Sequence, residues 1–199
     1  MKSVQKLIAI TSAALAIAVV SAGAAQACNY TGAQQVFKPW GDQHSYVLAP
    51  DGGFEAGGQG WTLSGGAGAV EENEPFDLGG AADSRSLSLP AGSTAVSPPI
   101  CMSLDTPSFR LVARNSGNPS SGLRVEATYP LLGLVRTKTV STVYGSSTWA
   151  PSQQMSTVLS LSTIVGTVIP SAIQIRITPL GSGGKWQVDD LYVDPFARH

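Results

Sequence analysis

Few residues of this chain have the types and spacings that support catalysis. The 199 residues include only two histidines, His44 and His199. A Ser-His-Asp triad would have to use His44, and Asp42 is too near it in sequence to orient the imidazole well. The sequence contains no nucleophile elbow, no HExxH motif, no phosphate-binding glycine loop and no Cys/His zinc spacing. We therefore expect a protein that is not an enzyme, and a hydrolase working through His44 is the least favoured alternative.

The acidic run EENE at 71–74 is the other candidate for catalysis. A glycosidase needs two carboxylates on opposite sides of a cleft. Adjacent residues of one strand instead point to opposite faces of a sheet. We therefore interpret this run as a solvated turn.

The charge balance excludes further classes of partner. The chain carries 12 Lys or Arg residues and 13 Asp or Glu residues, so its formal net charge is −1. The basic residues form no stripe that could neutralise phosphates. Nucleic acid and anionic membrane surfaces are therefore poor candidates as partners.

The N-terminus has the three parts of a secretory signal peptide. Two lysines precede an apolar run over 7–20, and small residues then lead to an Ala-Gln-Ala site at 25–27. The apolar run is too short to span a bilayer comfortably. We predict a signal peptide over residues 1–27, secretion of the remaining chain, and no transmembrane segment in the mature protein.

Both cysteines, Cys28 and Cys101, lie in the predicted mature chain. Two thiols in an oxidising compartment usually pair, so we predict a Cys28–Cys101 disulfide. On the chain-entropy model this cross-link would stabilise the fold by about 4 kcal/mol. A lipid anchor at Cys28 is the alternative, although lipidation usually requires a Leu-like residue where this chain has Ala25.

From position 50 onward, short alternating stretches are separated by Gly, Pro, Ser and Asn. In the clearest stretches, 109–114, 123–129 and 173–178, apolar residues occupy every second position. Because period two places neighbouring side chains on opposite faces, each strand should bury one face and expose the other. Further strands are expected at 86–89, 134–143, 155–164 and 186–193.

The strand pattern predicts the fold class. After the leader, no apolar spacing of 3.6 residues persists over the length of a helix, so helical crossovers are not expected. Many short antiparallel strands predict an all-β fold, a two-sheet antiparallel β-sandwich of the jelly-roll kind. We assign this domain to residues 51–199, and we interpret residues 28–50 as an N-terminal arm that lies over the sandwich.

Two segments carry a resemblance to a known family. The motifs GFE at 53–55 and GW at 60–61, together with WQVDDLYV at 186–193, resemble the first and last strands of jelly-roll carbohydrate-binding modules with the galactose-binding-like fold. These segments bracket residues 51–195. A longer pattern is more similar to uncharacterised exported proteins of actinobacteria, which bring no known function; it covers 61–66, 87–92, 97–101 and 113–115.

The resemblance implies a structural calcium ion. In the sugar-binding modules, a Glu of the first strand and an Asp of the last commonly hold calcium, which prefers several oxygen ligands. The matching residues here are Glu55 and Asp190, with Asp189 and Asp51 as additional candidates. The first and last strands of a jelly roll can lie side by side, which would bring these acids together. The alternative is that the acids cap turns or pair with basic side chains.

The resemblance also implies sugar binding. Sugar recognition needs aromatic rings that stack on pyranose faces and polar groups that bind hydroxyls. The aromatic candidates are Trp149, Tyr144 and Tyr129, and the polar candidates are Arg114, Asn115 and Gln154. Tyr129 is in phase with core positions, and Trp149 could instead plug one end of the sandwich. Trp61 and Trp186 match framework positions of the modules, so we assign both to packing.

These observations favour a secreted, non-catalytic β-sandwich module that binds a polysaccharide or another cell-envelope component. The alternative is a structural or interaction protein of the cell surface that binds no sugar. Such a protein would dock onto a protein partner or onto a second copy of itself.

Overall fold

The fold is a sandwich of two antiparallel β-sheets, as the alternating pattern predicts. The structure, a computed structural model, describes residues 31–102, 108–131, 134–156 and 171–194. Within these ranges the one helix is a short 3-10 turn, Lys38–Trp40. Most of the strand predicted at 155–164 lies outside the described residues.

Seven strands form the first sheet. Numbered along the chain, they are β1 Val47–Leu48, β3 Gly68–Val70, β4 Ser86–Pro90, β7 Ser108–Asn115, β10 Ala150–Pro151, β11 Met155–Ser156 and β13 Lys185–Asp194. Their order is β10-β7-β13-β4-β3, with β1 paired to β13 and β11 paired to β7. The long strands β7 and β13 therefore form the centre of this sheet.

Six strands form the second sheet. They are β2 Thr62–Ser64, β5 Thr94–Val96, β6 Ile100–Met102, β8 Leu123–Leu131, β9 Leu134–Val143 and β12 Ser171–Pro179. Their order is β2-β5-β12-β8-β9, and β6 pairs with β12. The register places Gln174, Arg176 and Thr178 of β12 opposite Thr128, Glu126 and Arg124 of β8. These side chains share the outer face of the sheet because the isoleucines between them are buried.

The core lies between the two sheets and contains the apolar residues of the alternating stretches. Leu111 of β7 and Ile175 of β12 are fully buried there. Trp186 is also buried, and its indole N–H donates to Ser121 Oγ at 3.1 Å. Trp61 packs on Phe54 with ring centroids 5.0 Å apart. The assignment of both tryptophans to packing is confirmed.

The two central strands of the first sheet are covered on their outer face, which the alternation did not predict. Strands β7 and β13 bury nearly every residue on both faces. Part of the N-terminal arm packs on this outer face and forms a second apolar cluster, made of Phe37, Tyr46, Val112, Trp149 and Tyr192. The expectation of one exposed face per strand is therefore wrong for β7 and β13, because a period of two residues does not record what covers a face.

The end of the arm is a strand of the sandwich. Val47 and Leu48 of β1 pair with Val193 and Tyr192 of β13. Further along, Leu191 N donates to Gly52 O at 3.0 Å. The strand that lies beside β13 is therefore β1, whereas the GFE motif at 53–55, which the resemblance assigned to the first strand, lies in the turns after β1.

The residues that bear on export are largely outside the described ranges. The predicted signal peptide over 1–27 and Cys28 both lie there, so the Cys28–Cys101 disulfide stays a prediction. Cys101 lies in β6. Within the described residues, no helix combines the length and hydrophobicity that a membrane span requires.

Shortening Leu111 should strongly destabilise the sandwich. Leu111→Ala leaves a cavity between the sheets, so we expect the free energy of unfolding to fall by about 2–5 kcal/mol. The control is Leu134→Ala, because Leu134 is 55% exposed and its truncation should cost less than about 0.5 kcal/mol. Urea denaturation measures both variants. Equal losses would contradict the assignment of Leu111 to the core.

Candidate metal centre and ligand clefts

Strand β13 contains a β-bulge at its Asp-Asp pair. Its pairing with β7 is regular up to Asp189 and resumes at Tyr192. Asp190 has a φ of 51°, a left-handed conformation that non-glycine residues seldom adopt. The extra residue lets Val188 and Leu191 both enter the core. The bulge therefore turns the Asp190 carboxylate out of the regular alternation of the strand.

Asp190 meets two acids of the loop between β3 and β4, residues 71–85. Carboxylate oxygens of Glu74, Asp83 and Asp190 all lie within 4.8 Å of one another. We call these three residues the acid cluster. Glu74 and Asp190 are buried, and Asp83 is half-buried.

Several buried oxygens at the acid cluster have no hydrogen-bond donor. Within the described residues, neither Oδ1 nor Oδ2 of Asp190 has a partner, and the same holds for Asp83 Oδ1 and Asn73 Oδ1. A buried carboxylate without a donor or a cation is costly. Oxygen ligands of this kind fit a hard cation such as calcium. The residues present therefore fit the calcium ion that the resemblance implied.

A glycine lets a second segment approach the acid cluster. A Cβ atom on Gly53 would lie 3.5 Å from Asp190 Oδ1 and 3.7 Å from Asp83 Oδ1. The backbone of Gly53 is therefore near both carboxylates. The acid cluster lies where the segment after β1, the 71–85 loop and strand β13 meet.

The environment of the acid cluster opposes ionisation. Burial and the carboxylates of Asp83 and Glu74 raise the pKa of Asp190 to about 8. Burial and the neighbouring Asp190 raise the pKa of Asp189 to about 9. Burial also raises the pKa of Asp83 to about 6, and Glu55 and Glu74 add to the effect. A divalent cation would reverse this balance, since it favours the charged carboxylates.

Asp190 joins the acid cluster, whereas Asp51 and Glu55 hold turns near it and Asp189 accepts a hydrogen bond at the bulge itself. Asp189 is buried beside it, and its Oδ1 accepts from Asp190 N at 2.9 Å. The Glu55 carboxylate accepts from the backbone N–H groups of Ser84 and Arg85 at 2.8 and 2.7 Å.

Asp51 orders the turn after β1. Its Oδ1 accepts from Ala56 N at 2.9 Å, and its Oδ2 accepts from Gln59 N at 2.6 Å. The carboxylates of Asp51 and Glu55 therefore cap turns, which was the alternative to metal binding.

Glu74 was missed by the sequence interpretation. Glu71 and Glu72 are exposed, as a solvated turn requires, but Glu74 is buried. Its carboxylate accepts hydrogen bonds from the backbone N–H groups of Phe76 and Leu78. The interpretation of residues 71–74 as a solvated turn is therefore wrong for Glu74. Its carboxylate binds the backbone of its own loop and lies beside Asp190 of β13.

Two of the predicted sugar ligands are buried. Trp149 is 8% exposed, and the guanidinium of Arg114 lies 4.9 Å above its ring. Asn115 holds a loop: its Nδ2 donates to Asn118 O, and its Oδ1 accepts from Lys185 N. Neither Trp149 nor Asn115 offers an open surface to a ligand, because Trp149 packs in the second apolar cluster beneath Arg114 and loop backbone surrounds Asn115.

The guanidinium of Arg114 is bound to neighbouring side chains on the outer face of the first sheet. Its Nε donates to Gln187 Oε1 at 2.7 Å, and its guanidinium forms an ion pair with Glu72. Tyr129 is half-buried and packs against the main core, in line with the alternative reading of that residue.

Tyr144 is the predicted aromatic residue that is open to solvent. Its side chain is 71% exposed and borders a groove of about 290 Å³ between the end of β9 and strand β10. We call this the Tyr144 groove; its lining includes Thr142, Ser152 and Gln153. The Tyr144 ring packs on Gly122, because a Cβ atom added to this glycine would lie 3.2 Å from Tyr144 Cε1.

Gln154 lines a different cleft, formed with the N-terminal arm. This arm cleft encloses about 480 Å³ and is lined by Trp40, Gly41, Asp42, Gln43, His44, Arg110 and Gln154. Asp42 Oδ1 lies 3.0 Å from His44 Nδ1, so the short spacing of the two residues does not prevent their contact. Asp42 also accepts from Tyr46 and Arg110. Burial opposes ionisation of Asp42, but these donors and His44 N hold its pKa below the usual value.

Comparison with known sequences gives no relative. No protein-family model matches this chain. No curated protein matches it either.

Comparison with solved structures identifies the fold. The CBM22-1 and GH10 modules of the Clostridium thermocellum endo-1,4-β-D-xylanase 10B, complexed with xylohexaose, align with a TM-score of 0.55 at 14% identity, over 76% of this chain and 29% of that chain. The CBM22-1–CBM22-2 tandem domain of Paenibacillus barcinonensis Xyn10C aligns at 0.53 and 12% identity, over 78% and 46%. The arabinose-bound α-L-arabinofuranosidase MgGH51 aligns at 0.51 and 15% identity, over 77% and 27%. This chain spans less than half of each of these structures, and it shares the jelly-roll sandwich of carbohydrate-binding modules.

Proposed function

We propose that this protein is a secreted, non-catalytic module that binds an uncharged polysaccharide at the Tyr144 groove. The observation that carries the proposal is the exposed Tyr144 ring beside a groove. An exposed ring that is propped on a glycine can stack on a sugar with little loss of side-chain entropy.

The groove lining supports a neutral ligand. Among the described residues, its lining contains no Asp, Glu, Lys or Arg, whereas Thr142, Ser152 and Gln153 provide hydroxyl and amide groups. Gln153 Nε2 donates to Ser141 Oγ at 3.2 Å, which fixes the amide at the groove. Polar groups around an apolar ring are the usual composition of a small-ligand site.

The relatives in fold support the same class of ligand. One solved structure with this fold holds xylohexaose, and it belongs to a xylanase with an attached module. Secretion rests on the signal-peptide pattern over 1–27, which would deliver the module to extracellular polysaccharide.

We further propose that the acid cluster binds one structural calcium ion. Glu74, Asp83 and Asp190 would hold the ion, with Asn73 Oδ1 nearby as a neutral oxygen. The ion would neutralise carboxylates that are costly to bury together, and it would join the 71–85 loop to β13.

Removing the exposed ring should weaken polysaccharide binding. We expect Tyr144→Ala to lower affinity at least about tenfold, because the stacking surface is lost and the fold is not disturbed. Affinity electrophoresis in gels containing xylan, galactan or mannan measures the change.

Thr148→Ala serves as the matched control, since Thr148 is exposed near the groove but does not line it. Wild-type protein that migrates freely in every gel would reject the proposal. If its oligomer size then depended on concentration, the interaction-protein alternative would be favoured.

Calcium should raise thermal stability through the acid cluster. At a concentration about a hundredfold above Kd, binding adds roughly 2.7 kcal/mol and should raise Tm by roughly 5–10 °C relative to protein in chelator. Asp190→Asn should abolish this shift. Glu71→Gln should keep it, because Glu71 belongs to the same loop but is exposed. An identical Tm with calcium and with chelator would reject the site.

The metal-free protein should lose stability as pH rises from about 5 to about 8. The folded-state pKa values of Asp190 and Asp189 are raised to about 8 and about 9, so the folded protein keeps protons that the unfolded chain has released. Raising the pH across this window therefore favours unfolding. Urea denaturation in chelator at several pH values measures the slope, which Asp190→Asn should reduce. A stability that is flat or rising in wild type would contradict the assignment.

A further inference from the structure

The arm cleft has a rigid, charge-compensated base. Arg110 Nη1 lies 2.8 Å from Asp42 Oδ2, and the two side chains are 9% and 11% exposed. Arg110 also donates to Ser152 O at 2.8 Å and lies 4.4 Å above the Phe37 ring. Since each charge is satisfied by the other, the base of the cleft offers fixed hydrogen-bonding groups without a net charge.

The walls of the arm cleft combine an aromatic ring with amide and imidazole groups. Trp40 is 39% exposed and forms one wall. Gln154 Nε2 lies 3.1 Å from His44 Nδ1 and 3.0 Å from Ser108 Oγ, so this part of the lining is tied to β7. A ring wall facing several donors and acceptors suits a molecule with apolar C–H faces and many hydroxyl groups.

Trp40 packs on the 71–85 loop, which carries two residues of the acid cluster. The rings of Trp40 and Phe76 pack edge to face with centroids 4.9 Å apart. The backbone N–H of Phe76 donates to the carboxylate of Glu74, a member of the acid cluster. In the same loop, Leu78 O accepts a hydrogen bond from Tyr192 Oη at 2.9 Å. The contacts of Phe76 with Trp40 and with Glu74 therefore connect the acid cluster to the ring that lines the arm cleft.

We infer that the arm cleft is a second sugar site, in which an uncharged sugar ring stacks on Trp40, and that the acid cluster holds this wall in place. The ligand class rests on the proposed function, but the site is separate from the Tyr144 groove. Consecutive residues of one segment serve the two sites, with Gln153 at the groove and Gln154 at the cleft. A bound cation at the acid cluster should therefore strengthen binding in the arm cleft.

Titration calorimetry of the full chain with xylohexaose, cellohexaose and mannohexaose in calcium buffer tests the second site. We expect two sites in the wild type for the oligosaccharide that binds. Trp40→Ala should lose one site, with affinity there reduced at least about tenfold, and Trp40→Phe should keep it. Tyr144→Ala should lose the other site. Trigalacturonic acid, a charged probe, should bind neither site.

The outcomes separate the two proposals. Loss of binding in Tyr144→Ala with no effect of Trp40→Ala would overturn the second site and leave the proposed function intact. The reverse result would support the second site and reject the Tyr144 groove. Absence of binding to every oligosaccharide would overturn both. Circular dichroism and the Tm of each variant establish that the fold is retained.

The link to the acid cluster has its own measurement. Chelator, or Glu74→Gln in calcium buffer, should weaken the Trp40-dependent site at least about tenfold and leave the Tyr144-dependent site unchanged. Tryptophan fluorescence should shift on calcium addition in the wild type, and the shift should shrink in Trp40→Phe. Glu71→Gln is the control in the same loop. Trp40-dependent binding that is equal in calcium and in chelator would overturn the link.

Discussion

The structure depends on burying carboxylates at the place where its first and last strands meet. The backbone pairing of β1 with β13 brings the start and the end of the sandwich together. The bulge at Asp190 then places a carboxylate there whose two oxygens accept no hydrogen bond. Like charges in a dry site repel strongly, so the acids must either keep protons or share a cation. Either state fixes the 71–85 loop, because Glu74 and Asp83 belong to it.

Much of the fold could be predicted because one physical rule generates it. Apolar residues at every second position face inward, and this rule placed β7, β8 and β12 within two residues of their observed bounds. Strand β9 has its predicted bounds, but it is exposed or half-buried along its whole length. The rule failed where a third layer covers a sheet. Val112 and Tyr192 lie on the outer face of the first sheet yet are buried, since the arm packs on them. Periodicity describes a strand and its two faces, and it carries no information about a distant segment that covers one of them.

The sites were predicted less completely for a related reason. Asp190 was predicted from the resemblance to the last strand of the sugar-binding modules, whereas the bulge that carries it was not predicted. Glu74 and Asp83 reach it from more than 100 residues away in the chain, and nothing in a solvated-looking run such as EENE separates its fourth residue from its first. The burial of Trp149 was not predictable for the converse reason: an aromatic residue next to a strand looks the same in sequence whether other residues pack on it or leave it open.

The covering of one sheet also decides where a ligand can bind. The arm packs on part of the outer face of the first sheet, and the outer face of the second carries Thr, Gln, Arg and Glu side chains without an aromatic ring among the described residues. Open rings occur instead at the rim, at Tyr144 and Trp40, on either side of the segment that carries Gln153 and Gln154. Trp40 belongs to the arm and not to a strand of either sheet, so the position of its ring is only as firm as the contacts that hold that segment. For Trp40 these contacts lead through Phe76 to Glu74. Ligand binding at the arm cleft and the energetics of the buried acids are therefore physically connected.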